Sequence, residues 1–372
     1  MLVGIDASRA LRTPRTGTEN YSLYLIRALV ALDTPYMWRL YADRRPPDGL
    51  IEGKRVEWRV MPWPRLWTHM RLAWEVTHRP PDVLFVPAHV TPVMRRCPTV
   101  VTVHDLGYLY HGTAHRPLDR AYLRASTEWN ARVARAVLAD SLATRNDLVA
   151  HTGCDPAKIV VAYPAGAEGL APVTDATRLA QVQARYGTGE RYWLYLGTLQ
   201  PRKNLESLIE AFARLSLEGT WPADVRLVLA GKPGWYHERI AACAAASEMS
   251  ERIVFPGYVD PDDLAALLSG AVGFVLPSWY EGFGLPVQEA MACGTPVICS
   301  NVSSLPEVAG DAALFFGPGD TEALAEAMAQ LWKEPALREE LARRGPAQAA
   351  RFTWERCAET VLSVLECVGK KG

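Results

Sequence analysis

Residues 277–296 read Pro-Ser-Trp-Tyr-Glu-Gly-Phe-Gly-Leu-Pro-Val-Gln-Glu-Ala-Met-Ala-Cys-Gly-Thr-Pro, which is a glycine-rich turn followed by a short helical pattern. The apolar run 272–276 before it predicts a buried strand. Pro286 suits the first position of a helix, where a backbone N–H would have no partner within the helix. Gly294 and Pro296 then end the helix, which we place at about 286–293. The stretch therefore predicts a strand–turn–helix unit of an α/β protein.

Two glutamates accompany this turn: Glu281 lies just before it and Glu289 lies one turn into the helix. The first amides of a helix and its dipole favour an anion such as a phosphate, or a network of sugar hydroxyls. Carboxylates suit paired hydrogen bonds with the diols of a sugar or a ribose. Since ligands of parallel sheets bind beyond the strands' carboxyl ends, we expect both side chains to face one pocket there. The pair alone is also compatible with a solvated turn and a helix surface charge.

The remainder of the chain repeats the alternation of strands and helices, which predicts two domains built on mostly parallel sheets. A length of 372 residues suits two domains. The pattern breaks into Gly, Pro, Ala and Thr at 166–175, where we place the hinge. The predicted strands are 2–6, 38–41, 56–61, 83–87, 99–104, 136–139 and 159–163 in the first half, and 192–196, 225–230, 253–255, 272–276, 297–300 and 313–316 in the second.

The composition is that of a globular protein, with 49% hydrophobic and 22% charged residues. The net charge of −1 conceals an asymmetry, because the first 170 residues hold 22 Lys and Arg against 16 Asp and Glu. This basic half is compatible with an anionic partner, such as a lipid-phosphate acceptor or a membrane surface. Chance variation in composition would give the same asymmetry. No run is long enough to span a bilayer. The seven scattered cysteines indicate reduced thiols in a cytoplasmic protein and no zinc site.

Arg202 and Lys203 follow the first predicted strand of the second half and precede an amphipathic helix. Asn204, between them and the helix, is expected to act as its N-cap. Two cations at a helix N-terminus predict a diphosphate site that needs no metal. The loop is neither a Walker motif nor Gly-x-Gly-x-x-Gly, which argues against NTPases and NAD enzymes.

Two features of the first half lie at predicted strand ends. The predicted strand 99–104 ends at His104, and Asp105 follows it, at the edge of a parallel sheet where active-site groups gather. A histidine that caps the next loop would show the same pattern. Gly17 lies in the loop after the first strand, and Thr16 and Glu19 have capping-box spacing for the helix that follows. A plain turn glycine before a helix is the alternative for Gly17. Asp140 closes another strand and is expected to line the cleft.

Residues 63–74 carry large apolar side chains at helical spacing, interleaved with arginines. One interpretation is an amphipathic patch that meets a membrane interface or a lipid-linked acceptor. The other, which we favour, is a helix buried against the sheet, because an aromatic stripe usually belongs to a core.

The motifs resemble those of the retaining, nucleotide-sugar-dependent glycosyltransferases of family 4, also called glycosyl transferases group 1. The signature of that family, two glutamates separated by seven residues with Gly-Phe-Gly-Leu-Pro between them, stands here as Glu281, 282–286 and Glu289. The resemblance implies a GT-B fold, an α/β architecture of two Rossmann-like domains that face each other across a cleft. It implies an acceptor-binding domain at 1–170, a nucleotide-sugar-binding domain at 175–352, and a last helix at about 353–372 that crosses back to the first domain.

The resemblance also implies roles for individual residues. His104 and Glu281 are carried over as catalytic residues that face and position the donor sugar. The donor-binding residues carried over are Gly17, Arg202, Lys203, Gly282, Phe283, Gly284, Leu285 and Glu289, the last of which holds the ribose. Many relatives have an arginine where this chain has Thr198, so either Arg202 replaces that arginine or the contact is absent.

The stretches 197–204 and 102–106 resemble the mannosyltransferase-like branch involved in bacterial polysaccharide and O-antigen assembly. This implies transfer of a hexose to a saccharide or lipid-linked acceptor with retained anomeric configuration. The resemblance favours mannose, donated by GDP-mannose, as that hexose. We expect a GDP- or UDP-linked donor, no metal or other cofactor, no nucleic-acid partner, and a cytoplasmic location, either free or peripheral at the inner face of the membrane. A sugar-nucleotide epimerase or phosphorylase of the same fold and a non-catalytic nucleotide-sugar-binding protein are the alternatives.

Overall fold

The computed structural model describes residues 1–13, 15–88, 90–110 and 117–370, which form two compact α/β units. Unit 1 comprises Met1–Leu106, Pro117–Ala165 and the chain from Phe352 onward. Unit 2 comprises Gly166–Arg351 together with residues 107–110. The sequence places the boundaries at 170–175 and 352–353 and does not assign 107–110 to the second unit.

The sheet of unit 1 contains, within the described residues, seven strands that all pair in parallel. Their order is β3-β2-β1-β4-β5-β6-β7, so the direction of winding reverses between β1 and β4. Such a reversal opens the crevice in which α/β proteins bind ligands. The strands are β1 Leu2–Asp6, β2 Met37–Ala42, β3 Val56–Val60, β4 Val83–Val86, β5 Thr99–Val103, β6 Ala136–Ala139 and β7 Ile159–Val161.

The sheet of unit 2 repeats this plan with six parallel strands in the described residues, in the order β10-β9-β8-β11-β12-β13. Its reversal falls between β8 and β11, which are hydrogen-bonded neighbours. The strands are β8 Tyr192–Leu196, β9 Arg226–Ala230, β10 Ile253–Val254, β11 Gly273–Leu276, β12 Val297–Ser300 and β13 Ala313–Phe316. The predicted α/β class and its parallel sheets are confirmed.

The helices connect these strands. In unit 1 they are α1 Gly17–Ala31, α2 Ala73–His78, α4 Pro117–Val133, α5 Leu142–Thr152 and α14 Trp354–Gly369. In unit 2 they are α3 Gly107–Tyr110, α6 Ala176–Tyr186, α7 Leu205–Leu217, α8 His237–Ala246, α9 Leu264–Ser269, α10 Leu285–Ala292, α11 Leu305–Ala309, α12 Thr321–Lys333 and α13 Pro335–Ala349. Among the described residues, no helix is both long and apolar enough to cross a bilayer.

Helix α14 belongs to unit 1, as predicted for the last helix. It buries seven side chains, among them Trp354 and Leu365, in the core that also contains α1 and β1. The Trp354 ring packs edge-on against Tyr21 of α1 at a centroid distance of 5.8 Å. The opposite end of α14 is fixed by Tyr36, whose hydroxyl donates to Glu366 Oε1 at 2.9 Å.

The favoured prediction of a buried helix at 63–74 is wrong. Leu66 adopts φ 53°, which interrupts the helical path, and a π-helical turn at Thr68–Leu72 then shifts the periodicity before α2 begins. Of the aromatic and aliphatic stripe only Trp67 is buried, and its indole N–H donates to the Met61 carbonyl at 2.8 Å. The exposed fractions of the others are 47% for Trp63, 70% for Leu66, 54% for Met70 and 49% for Trp74.

Candidate active site

The candidate site in unit 2 is built where β8 and β11 end side by side. Trp193 pairs with Gly273 and Leu194 with Phe274, so the loops that follow the two strands leave the sheet at the same edge. The loop after β8 carries Arg202 and Lys203, and the loop after β11 carries Glu281. The reversal of the sheet therefore brings together three of the side chains predicted to bind the donor.

Arg202 and Lys203 lie in a single 3-10 turn, Pro201–Lys203, directly before α7. Asn204 occupies the N-cap position with φ 53°, but its side chain does not cap the helix, so that part of the prediction is wrong. The left-handed backbone directs the amide elsewhere: Nδ2 donates to the Pro318 carbonyl at 2.7 Å, and Oδ1 accepts from Ser207 Oγ at 2.8 Å. Asn204 thus anchors the cationic turn to the loop after β13.

Glu281 is the centre of a buried charge cluster. Its Oε1 accepts from Lys203 Nζ at 2.5 Å and from Ser278 Oγ at 2.6 Å. Its Oε2 lies 3.5 Å from Nη1 of Arg202, and the same Nη1 donates to the Tyr280 carbonyl at 2.6 Å. Glu281 and Lys203 are only 6% and 7% exposed. The side chains are therefore held in place before any ligand arrives.

The electrostatics of this cluster favour an incoming anion. Burial alone would raise the pKa of Glu281, but Lys203 first, and then Arg202 and Ser278, hold that pKa below its usual range. The carboxylate is therefore ionised, so the three side chains of this cluster carry one negative and two positive charges. A net positive charge in a buried, hydrogen-bonded pocket suits a diphosphate, because low local dielectric strengthens such interactions.

The glycine turn is held by two serines that sequence reasoning missed. The Glu281 N–H donates to Ser303 Oγ at 2.9 Å, and Ser304 Oγ donates to the carbonyls of Glu281 and Phe283 at 3.0 and 2.8 Å. Gly284 has φ 102°, and a Cβ there would lie 2.7 Å from Cδ2 of Leu305. The turn then leads directly into α10, whose first residue is Leu285, one position before the predicted start.

Glu289 lies one turn into α10, but its partner is the segment that begins unit 2. Its Oε1 accepts the Ala167 N–H at 3.1 Å, and the neighbouring Gln288 Oε1 accepts the Gly166 N–H at 2.7 Å. Burial raises the pKa of Glu289 to about 7, and the Ala167 N–H offsets this only in part. Helix α10 thus presents a carboxyl group that titrates near neutral pH.

We expect Glu289→Gln to change the pH dependence of stability. The folded-state pKa of about 7 lies above that of an unfolded glutamate, so the wild type loses stability as the pH rises towards 7. Relative to wild type, the variant should gain about 2 kcal/mol in free energy of unfolding between pH 5 and pH 8. Urea unfolding at both pH values measures this gain. An equal difference between the two proteins at both pH values would contradict the raised pKa.

In unit 1, the predicted residue His104 is paired with Asp140. Val103 of β5 lies opposite Ala139 of β6, so the next residue of each strand meets the other at the sheet's carboxyl edge. His104 Nδ1 and Asp140 Oδ2 are 2.7 Å apart. Gly17 is an exposed first residue of α1, directly after the N-cap Thr16, which forms the predicted capping box with Glu19. The roles of His104 and Gly17 towards a donor stay predictions.

Comparisons with known proteins agree with this architecture. A family model described as Glycosyl transferases group 1 matches residues 180–348, and one described as Glycosyltransferase Family 4 matches residues 15–165. Among solved structures, sucrose-phosphate synthase from Thermosynechococcus elongatus superposes with a TM-score of 0.77 at 21% identity, and both chains are covered completely. Anabaena Alr3699/HepE in complex with UDP-glucose gives 0.76 at 17% identity, over 98% of this chain and 99% of that one. The protein has the GT-B fold of glycosyltransferases, as predicted.

Sequence relatives carry the assignment further. The O-antigen chain mannosyltransferase B of Escherichia coli is 30% identical over 377 residues, which is 96% of this chain and 98% of the relative. The serotype-specific mannosyltransferase WbdA of Escherichia coli is 32% identical over 231 residues, 62% of this chain and 28% of that protein. The chain belongs to glycosyltransferase family 4, the glycosyl transferases group 1, and is similar to mannosyltransferases within it.

Proposed function

We propose that this glycosyltransferase moves mannose from GDP-mannose to a saccharide or lipid-linked acceptor during assembly of a cell-surface polysaccharide. The observation that carries the proposal is the similarity, over nearly the full length of both chains, to an O-antigen chain mannosyltransferase. The name mannosyltransferase recurs in WbdA and in the MMP alpha-(1->4)-mannosyltransferase of Mycolicibacterium hassiacum, which is 27% identical over 292 residues.

The buried charge cluster supports the chemistry of this proposal. As the bond between sugar and diphosphate breaks, negative charge grows on the departing phosphate. Lys203, Arg202 and the amides of the glycine turn stabilise that charge. Lys203 has three donors, so it can keep its bond to Glu281 while another N–H meets a phosphate oxygen. Glu281, fixed by Lys203 and Ser278, positions the sugar.

Two further features belong to the proposal. Glu289 holds the ribose of the donor, since a carboxylate can accept hydrogen bonds from both hydroxyls of a diol. The transfer retains the anomeric configuration by front-face attack, in which an oxygen of the leaving diphosphate takes the acceptor's proton. Proton NMR of the first product formed tests this step, and an inverted product would contradict it.

The donor is tested by incubating the protein with GDP-mannose, GDP-glucose, UDP-glucose and UDP-galactose and measuring the nucleoside diphosphate released, with Glu281→Ala as control. We expect selective release of GDP from GDP-mannose, unchanged by EDTA, because Lys203 and Arg202 take the place of a metal. Release from a UDP-sugar alone would overturn the donor assignment. An epimerised sugar nucleotide, or a requirement for inorganic phosphate, would favour an epimerase or phosphorylase. Tight nucleotide binding without turnover would favour a binding protein.

We also propose that unit 1 contacts the cytoplasmic face of an anionic membrane through its exposed apolar segment. We call Trp63, Leu66, Met70 and Trp74 the apolar patch. Arg65 lies within it, Arg79 ends α2, and Arg96 is joined to α2 by its N–H, which donates to the Val76 carbonyl. These three arginines are exposed and form no ion pair within the described parts of the chain. Exposed apolar side chains on a segment that also carries arginines suit the interface of an anionic bilayer.

The variant Leu66→Gly tests the proposed membrane contact without destabilising the fold. Leu66 is 70% exposed and has φ 53°, a conformation that costs a non-glycine residue about 1–2 kcal/mol. Glycine should therefore leave stability unchanged or raise it by up to about 1 kcal/mol, while binding to phosphatidylglycerol vesicles falls about fivefold. Vesicle co-sedimentation and thermal unfolding measure both effects. Leu217→Gly, which removes a leucine that is 57% exposed in unit 2, is the matched control. Equal vesicle binding by both variants would contradict the proposal.

A further inference from the structure

The contact between His104 and Asp140 is a buried pair of titratable groups at the carboxyl edge of β5 and β6. The side chain of Asp140 is 8% exposed and that of His104 22%. The Nδ1–Oδ2 distance of 2.7 Å is that of a charge-assisted hydrogen bond. An ionised carboxylate can only accept, so the proton between the two groups belongs to Nδ1 of the imidazole.

The other ring nitrogen, Nε2, is buried, and within residues 1–13, 15–88, 90–110 and 117–370 no group lies in hydrogen-bonding geometry to it. A buried polar atom without a partner is unfavourable and marks a place where a ligand can supply the missing hydrogen bond. The Tyr21 ring packs against the imidazole in a T-shaped arrangement, with 4.6 Å between the ring centroids, and limits its rotation. Asp140 and Tyr21 together therefore fix which nitrogen is left for a substrate.

The backbone of His104 is held by the residues that follow Asp140. The Thr144 hydroxyl donates to the His104 carbonyl at 3.3 Å, and Ser141 Oγ donates to that hydroxyl at 3.1 Å. Ser141 also caps α5 by accepting the Thr144 N–H at 3.0 Å. The end of β6 and the start of α5 thus clamp both the ring and the carbonyl of the histidine.

We propose that Asp140 is a positioning residue for the transfer reaction: it fixes the His104 ring with its proton on Nδ1, so that Nε2 meets a hydroxyl of the donor sugar. This inference rests on the proposed function and on the sequence-based prediction that His104 faces that sugar. Asp140 itself touches no substrate and acts only through the histidine.

The charges around the pair agree with this arrangement. Burial alone would lower the pKa of His104, but Asp140 first, then Asp105 and the Pro87 carbonyl, raise it above its ordinary value. Burial raises the pKa of Asp140, and His104 opposes that rise. From the other elements packed here, Tyr21 of α1 and Cys357 of α14 face the pair, and burial raises the pKa of both, so they stay neutral near pH 7. The charge of Asp140 is thus the largest of the influences that raise the pKa of the imidazole.

Nitrogen-15 NMR of histidine-labelled protein tests the pairing without reference to activity. The signal of His104 is identified among the eight histidines by its loss in His104→Gln. In the wild type we expect the neutral ring to carry its proton on Nδ1, the less common form of free imidazole. In Asp140→Asn the pKa of His104 should fall by about 1 or more. A proton on Nε2 in the wild type, or an unchanged pKa in the variant, would overturn the inference.

Donor turnover separates this inference from the proposed function. Asp140→Asn should lower kcat about tenfold and His104→Gln at least as much, with thermal unfolding confirming that both variants fold. If His104→Gln consumes the donor as fast as wild type, His104 does not act in the transfer reaction, whatever the NMR result. Impaired His104→Gln together with unimpaired Asp140→Asn would leave the proposed function standing and overturn the positioning role of Asp140.

Discussion

Lys203→Met should reduce kcat/KM for the nucleotide-sugar donor by one to two orders of magnitude and also destabilise unit 2. The loss of activity follows from removing a charged hydrogen bond to the departing diphosphate, which contributes roughly 1.5–3 kcal/mol. The loss of stability follows from the 2.5 Å contact with Glu281. Among the described residues, its buried carboxylate would keep only the more distant Arg202 as a cationic partner. Leaving a buried charge without its partner costs about 3 kcal/mol.

The double variant Lys203→Met, Glu281→Gln distinguishes the two effects. Both replacements keep the approximate volume of the side chains and remove both charges, so the buried pair becomes a neutral one. We expect thermal unfolding to return to within about 1 kcal/mol of wild type, because neutral replacements of buried ion pairs are often tolerated. Turnover should stay as low as in the single variant. Recovery of turnover would show that Lys203 serves the structure and not the diphosphate.

Gly231→Ala is expected to have the largest effect on stability of any single change at the site's edge. Gly231 has φ 139°, and a Cβ there would lie 1.9 Å from the carbonyl oxygen of Gly197. The position of the Cβ is set by the backbone of residue 231 and the oxygen belongs to the backbone of Gly197, so no flexible side chain can move aside. The two loops are tied by hydrogen bonds from the Gly197 N–H to the Ala230 carbonyl at 2.9 Å and from the Leu199 N–H to the Lys232 carbonyl at 2.8 Å.

The alanine therefore has to separate the loop after β8 from the loop after β9. We expect a loss of more than about 3 kcal/mol, which in a unit of this size lowers the melting temperature by roughly 6–12 °C. Gly219→Ala is the matched control, because Gly219 also has a left-handed φ of 69° but has open space around it. That variant should lose only about 1–2 kcal/mol. Similar losses in the two variants would show that backbone strain, and not the close approach of the loops, is the reason that residue 231 has to be glycine.

Much of the architecture was predictable because the strands are buried on both faces and read as apolar runs. The runs 136–139 and 272–276 are examples, and each lies within one residue of an observed strand. The cluster of Arg202, Lys203 and Glu281 was predictable for a related reason, since parallel strands bring the loops at their carboxyl ends to one edge. His104 was placed by the same argument, although its partner Asp140 was predicted only to line the cleft.

The errors coincide with non-glycine residues that adopt a left-handed backbone. Leu66, Asn204 and Ser303 have φ values of 53°, 53° and 47°. At Leu66 this conformation breaks the predicted buried helix, and at Asn204 it turns the side chain away from the helix it was expected to cap. Ser303, with the same backbone conformation, has a hydroxyl that accepts the Glu281 N–H, and no sequence motif predicts this contact. Residue propensities disfavour such conformations, so tertiary contacts alone determine where they occur.

Because α14 belongs to unit 1, the first unit of the chain is the last to have its complete sequence available for folding. During translation the N-terminal part of a chain generally folds first. Here the core of unit 1 needs seven side chains from α14, and the whole of Gly166–Arg351 is synthesised before them. At about 5–20 residues per second, the ribosome takes roughly 10–40 s over that interval. Throughout it, the apolar surface that α14 covers in the finished protein is open to chaperones and to neighbouring nascent chains, while unit 2 already has the sequence that it needs.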